Sequence, residues 1–178
     1  IIVGEIMDFS MEIPFGPHQI IPDEVKEIPV DIKNNGNIPI ELNISVLVPE
    51  GFDVLHPLYE LSVPGKEKGS YNVKVKTNEI LQEGDLRDFT VIGRSGNISM
   101  EALFQLRVGK YSRIDSSLFS SEVLELDPGN EAEYELKLIN LGTGSEFLDI
   151  SADNPYDNIH VLMNGKKNLE GLLLSWDR

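Results

Sequence analysis

Apolar and polar residues alternate along much of the first hundred positions. Ile38, Ile40, Leu42, Ile44, Val46 and Val48 take every second place, with Pro39, Glu41, Asn43, Ser45 and Leu47 between them. A period of two puts each set on its own face of a strand, so the run predicts a strand with one buried face. Tyr71, Val73, Val75 and Thr77 repeat the pattern, as do Ile98, Met100, Ala102, Phe104, Leu106 and Val108. Ile28, Val30 and Ile32 form a shorter version, and Phe89 and Val91 begin another. The core predicted from this phase is Ile28, Val30, Ile32, Ile40, Leu42, Ile44, Val46, Val73, Val75, Phe89, Val91, Phe104 and Leu106.

Turn formers separate the runs: Asn34-Asn35-Gly36-Asn37, Pro49-Glu50-Gly51, Pro64-Gly65, Glu83-Gly84-Asp85 and Ser95-Gly96-Asn97. Glycine and asparagine tolerate the positive φ that tight turns need. Short strands with frequent turns predict an antiparallel sandwich or barrel. Sustained helical periodicity is missing; only Lys66–Ser70 and Glu79–Glu83 admit a helical turn. Pro29 and Pro39 fall within predicted strands. Proline removes a ladder donor, so these strands are expected at sheet edges or bulges.

The chain also repeats itself. Residues 22–49 align without gaps on 128–155, with Pro22/Pro128, Glu27/Glu133, Asn34/Asn140, Gly36/Gly142, Leu42/Leu148, Ile44/Ile150, Ser45/Ser151 and Pro49/Pro155 identical. That is 8 of 28 positions, where average residue frequencies give about 2. Ile28/Tyr134, Val30/Leu136 and Ile32/Leu138 share the apolar phase. A repeat this long is a whole domain rather than a solenoid unit. The expected domains are 1–109 and 110–178, with the boundary at Gly109-Lys110-Tyr111 and a short connection. The second copy lacks obvious counterparts of the Val73–Thr77, Phe89–Arg94 and Ile98–Val108 runs, with Leu172–Trp176 a candidate for one. It is therefore expected to be truncated, or completed by further residues or by another chain. The start at Ile1 carries the same expectation of a piece of a larger protein.

Charge narrows the choice of partner. Nine basic and seventeen acidic residues occupy 1–109, and six and thirteen occupy 110–178. Both halves repel polyanions, so nucleic acid and anionic membrane surfaces are not expected partners. The longest apolar runs fall far short of the ~20 residues of a membrane-spanning helix, so direct insertion is not expected. Cysteine is absent, which removes disulfides, thiolate nucleophiles and Cys-ligated zinc together.

Val30 to Asn37, followed by the alternating strand to Val48 and Pro49-Glu50-Gly51-Phe52, resembles the immunoglobulin-like, adhesion-related domains of archaeal and bacterial surface proteins. These are the CARDB-type and alpha-galactosidase-associated modules. Leu136 to Gly142, followed by Phe147 to Pro155, carries the resemblance in the second copy. It implies a seven-strand sandwich outside the cytoplasm, and no particular ligand. The fold expectation is therefore all-β, with two tandem immunoglobulin-like sandwiches.

Sites are sparse. His18, His56 and His160 are scattered, and each reads as an ordinary surface or half-buried histidine. Gly93-Arg94-Ser95-Gly96 reads as a hairpin turn rather than a nucleophile elbow. No phosphate-cradling glycine loop is present. Thirty acids on a small surface meet by accident, so a close pair alone would not mark a glycosidase. Asp153, Asn154, Asp157 and Asn158 form an oxygen-rich loop that could hold calcium, against the plainer reading of a solvated turn. Asn43-Ile44-Ser45 and Asn97-Ile98-Ser99 are N-glycosylation sequons, against a plain solvent-facing asparagine.

The function expected is a non-enzymatic structural or adhesive segment of a prokaryotic, archaeal surface protein. It would be extracellular, free of cofactors, and partnered by other surface proteins, further domains of its own chain, or glycan. One rival is a carbohydrate-binding accessory module, which needs exposed aromatics, yet Phe89, Phe104 and Tyr134 sit at core phase and Trp176 lies at the chain end. The other is a filament subunit that exchanges strands with its neighbours.

Overall fold

The computed structural model describes residues 4–78, 81–119, 127, 129, 131, 133–152, 162 and 168–175. The chain divides into two compact units, Ile1–Lys110 and Tyr111–Arg178.

The first unit is an all-β sandwich with an immunoglobulin-like layout. Its strands are β1 (Phe9–Glu12), β2 (Pro17–Ile20), β3 (Lys26–Asn34), β4 (Ile40–Leu47), β5 (Phe52–Leu55), β6 (Leu58–Val63), β7 (Lys68–Thr77), β8 (Leu86–Ser95) and β9 (Ile98–Val108). One sheet runs β1-β3-β7-β5 and the other β2-β9-β8-β4-β6. That is nine strands among the described residues, against seven implied by the resemblance.

All thirteen predicted core residues are buried. Phe89 stacks on Phe104 at 4.8 Å and meets Phe52 edge-on at 5.3 Å. The alternation was decisive because a one-residue slip would have turned every side chain into water. Phe9, Ile20, Phe52, Val63 and Leu81 are also buried. They lie in short strands, at a strand end or in a loop, where too few residues alternate to declare a face. The β8–β9 hairpin closes on Gly96 and Asn97, with Gly96 at φ 53° in the first turn position. A type II′ turn needs positive φ there.

Two expectations fail in this unit. Lys66–Ser70 is not a helical turn, because Lys68–Ser70 already belongs to β7. Nor do the prolines mark edge strands. Pro39 precedes β4, which lies between β8 and β6. Pro29 lies in β3, between β1 and β7. Asn34 donates its N–H to the Glu67 carbonyl on the β7 side (3.0 Å). By alternation the odd positions, Pro29 included, face β1, and β1 reaches only as far as Asp31. The missing donor therefore falls where no ladder runs.

The turn after β3 is built around a buried side chain. Asn34 Nδ2 donates to the carbonyls of Ile38 (2.8 Å) and Val63 (2.9 Å), and its Oδ1 accepts the Gly36 N–H (2.9 Å). The entering chain hooks onto this turn. Asn35 and Gly36 donate N–H groups to the Asp8 carbonyl, and Asn37 donates its own to Ile6. A Cβ on Gly36 would collide with the Ile6 carbonyl oxygen, so glycine is required by closeness rather than by φ.

The second unit contains β10 (Ile114–Phe119), β11 (Glu135–Asn140), β12 (Glu146–Ser151) and β13 (Asn168–Leu174) among its described residues. They form the pairs β10-β11 and β12-β13. The same hub recurs. Asn140 Nδ2 donates to the carbonyls of Gly144 (2.8 Å) and Leu174 (3.2 Å), and its Oδ1 accepts the Gly142 N–H (2.9 Å). Leu141 donates its N–H to Arg113, and Thr143 to Tyr111. A Cβ on Gly142 would strike the Tyr111 carbonyl.

These bonds fix the correspondence. β10, β11 and β12 match β1, β3 and β4. Leu174 stands for Val63, since each accepts from the hub asparagine and pairs opposite the first residue of β12 or β4. Leu172–Leu174 thus belongs to a counterpart of β6 and replaces none of the β7, β8 and β9 runs, contrary to the expectation.

Candidate functional site

Among the described residues of the first unit, a cleft of about 420 Å³ opens where β5 gives way to β6. β5 pairs with β7 only from Lys74 to Thr77. The chain then leaves that sheet through His56 and Pro57 and joins the other as edge strand β6. The crossing opens a gap beside β7, lined by Leu55, His56, Leu58, Tyr59, Ser70, Tyr71, Asn72 and Lys74. His56 takes φ 61° at the corner, a conformation uncommon for a residue with a Cβ.

Two tyrosines shape the cleft. Tyr59 stacks on Tyr71 with centroids 4.8 Å apart and 22° between planes. Tyr71 is buried, and its hydroxyl donates to the His56 carbonyl (2.8 Å), which holds the corner. Burial, with Tyr59 adding to it, pushes the Tyr71 hydroxyl above the ordinary tyrosine value of 10.0. Tyr59 remains 43 % exposed and Leu58 76 %. An aromatic ring beside polar Ser70 and Asn72 can stack on a sugar face or cover an apolar side chain. The sequence signal for it was weak, because Tyr59 sits at core phase opposite Ile44. Only the edge position of β6 leaves it accessible.

The sequons are both displayed. Asn43 is exposed on the outer face of β4, across from Glu60 and Arg94, and Asn97 is exposed at the β8–β9 turn. The structure does not bring them together with the cleft residues. Asp153, Asn154, Asp157 and Asn158 lie outside the described residues, as do His160 and Trp176. Among the described residues no group of three His, Asp or Glu side chains is placed to hold a metal. His18 lies in β2 with a buried Nε2 that has no protein partner. Tyr134, expected at core phase, is 51 % exposed. The ion pairs Lys74–Glu27 (2.9 Å) and Lys76–Asp53 (3.6 Å) are half exposed; such pairs contribute ~0–1 kcal/mol. No helix among the described residues is long and apolar enough to cross a membrane.

No family model matches the chain, and no curated protein matches it. Among solved structures, a mutant of Salmonella alpha-2-macroglobulin is similar at TM-score 0.48 and 14 % identity over 62 % of this chain. The methylamine-reacted Salmonella protein gives 0.47 and 13 %, again over 62 % of this chain. The native conformation of E. coli alpha-2-macroglobulin gives 0.45 and 9 % over the same share. This chain spans only 7 % to 8 % of the length of those proteins. At these scores the likeness assigns neither a family nor an activity.

Proposed function

We propose that the chain is a non-enzymatic, extracellular segment of a prokaryotic surface protein, related to the adhesion domains it resembles, and that its first unit is a spacer that bears tension. The observation that carries this is the pairing of β2 with β9. The two strands run parallel, Pro17–Ile20 against Gln105–Val108. Gly109 then donates its N–H to the Ile20 carbonyl (2.8 Å). β2 is near the entry of the unit and β9 is its last strand. Tension pulls β2 back from its start and β9 forward from its end. On parallel neighbours those forces act along the strands, so the ladder bonds share the load and break together. In an antiparallel terminal pair the bonds would open singly.

Single-molecule pulling on the 178-residue chain tests this reading. The first unit should resist and then rupture in one event. About 90 residues extend by at most ~3.6 Å each, so the release is roughly 300 Å. His18→Pro removes a β2 donor on the β9 side and should lower the rupture force. Gradual unravelling, or an unchanged force in that variant, would refute it. In this reading Asn43 and Asn97 carry glycans; peptide masses from native material showing bare asparagines would withdraw that.

A second reading, glycan binding at the Tyr59 cleft, is favoured by one observation, the accessible tyrosine ring beside Ser70 and Asn72. Titration with neutral oligosaccharides, followed by Tyr59 ring shifts, decides it. Unmoved signals at millimolar sugar would dismiss it.

A further inference from the structure

We propose that Asn35-Gly36 is a self-modification site, an asparagine amide set to convert to isoaspartate, and that the entering segment holds it shut. The hub itself does not need an amide side chain at position 35. The second hub has Leu141 there and makes the same asparagine bonds. The side chain of Asn35 enters none of the bonds that build the first hub.

The dipeptide supplies both reacting atoms. The Gly36 nitrogen attacks Asn35 Cγ and closes a cyclic imide as the Cγ–Nδ2 bond breaks. Ammonia leaves, taking up the proton of the Gly36 N–H. Glycine has no side chain to crowd the ring and leaves the backbone free to close. Water then opens the imide. Attack at the backbone carbonyl carbon of Asn35 breaks its bond to Gly36 and leaves the chain running through Cγ, which is isoaspartate. Attack at Cγ gives aspartate. Water is the sole co-reactant, and nothing is oxidised or reduced. Lys66 favours the first opening. Its ammonium donates to the Asn35 backbone carbonyl, and its backbone N–H donates to the Gly36 carbonyl (3.2 Å). A cation at that oxygen stabilises the negative charge that builds there under attack.

The entering segment blocks the nucleophile. Gly36 is buried, and its N–H is shared between the Asp8 carbonyl (3.0 Å) and Asn34 Oδ1 (2.9 Å). Its proton is therefore held by two acceptors and kept from water. Asn37 pins the residues that cover it. Its Oδ1 accepts the Ile6 N–H (2.7 Å), and its Nδ2 donates to the Gly4 carbonyl (2.9 Å). Local opening of residues 4–8 must precede reaction. Isoaspartate then adds a methylene to the backbone between the two N–H groups that reach Asp8. The segment cannot recover both bonds, so the modification records the opening. Thermal opening suffices, and the inference does not depend on the tension reading.

The test ages the 178-residue chain, folded and in denaturant, and reads Asn35 by peptide mass and isoaspartyl methyltransferase labelling. The folded chain should react at least about tenfold more slowly than the unfolded one. Asn37→Ala frees the entering segment and should speed the folded reaction about tenfold. Adding Lys66→Met to that variant should lower the ratio of isoaspartate to aspartate. Folded chain carrying isoaspartate should exchange its Ile6 and Asn37 amides faster than the parent. Equal rates folded and unfolded would overturn the proposal, and so would an Asn37→Ala rate no higher than the parent's. An unchanged product ratio would remove Lys66 from the site. If Asn37→Ala does not fold, the parent in sub-denaturing urea decides. Reaction at Asn35 should then rise in step with Ile6 amide exchange, and a rise out of step refutes the gate.

Discussion

The two asparagine hubs use the same bonds in surroundings of different depth. Asn34 and Asn140 each bond two carbonyls and an N–H two residues on. In each the entering strand lies against the same glycine, where a Cβ would strike its carbonyl. Even the changed position keeps its role. Asn37 Oδ1 accepts the Ile6 N–H (2.7 Å), and Thr143 Oγ1 accepts that of Tyr111 (2.8 Å). Around Asn34 the apolar faces are closed, while around Asn140 Leu136, Leu118 and Leu172 remain exposed. Among the described residues, local hydrogen bonding therefore reproduces the turn without reproducing the burial around it. The turn needs its own few residues and the ends of two strands that its asparagine and backbone bond, whereas the core needs whole strands at one phase.

Matched substitutions can break or sharpen this contrast. The largest difference is expected for Leu42→Ala against Leu148→Ala. Leu42 is fully buried, and truncating such a leucine costs ~2–5 kcal/mol. Leu148 is only half-buried and should lose less than half as much in chemical denaturation. Equal losses would show a closed second core. Next comes Asn34→Ala, which strands two carbonyls around a buried site and should cost ~2–3 kcal/mol, against ~1 for the more accessible Asn140. Gly36→Ala forces a methyl onto the Ile6 carbonyl; overpacking of that kind costs ~1–3 kcal/mol. Faster amide exchange at residues 6–12 would locate the damage.

A smaller effect tests the Tyr59–Tyr71 corner. The Tyr71 hydroxyl titrates above 10.0 in the folded chain. The unfolded chain then releases its proton first as pH rises, so folding stability falls from about pH 10 upward through the folded value. Below that range both states hold the proton and stability no longer changes with pH on its account. Tyr71→Phe should flatten this alkaline decline and lose about 1 kcal/mol near neutrality with the His56 bond. A decline as steep as in the parent would place its origin elsewhere.

Much of the first unit was legible from alternation, since long strands at one phase leave a single face to bury. The cleft was not. Tyr59 shares the core phase of Leu61 and Val63, and nothing local says that its end of β6 lies open at an edge. Phe9 and Ile20 escaped because four-residue strands carry too little pattern, and Leu81 because it packs on Gly51 from a loop. The edge role assigned to Pro29 failed because a strand can be interior along part of its length and open along the rest.

By itself the sequence determined the strand phase, the thirteen buried positions and the paired Asn-x-Gly turns. These depend on side-chain chemistry within a few residues. Tertiary structure decided the parallel contact of β2 with β9, the accessible ring of Tyr59 and the correspondence of Leu174 with Val63. Each depends on which distant strand becomes the neighbour. That choice is made by the joint burial of both sheets, and no local run of residues encodes it.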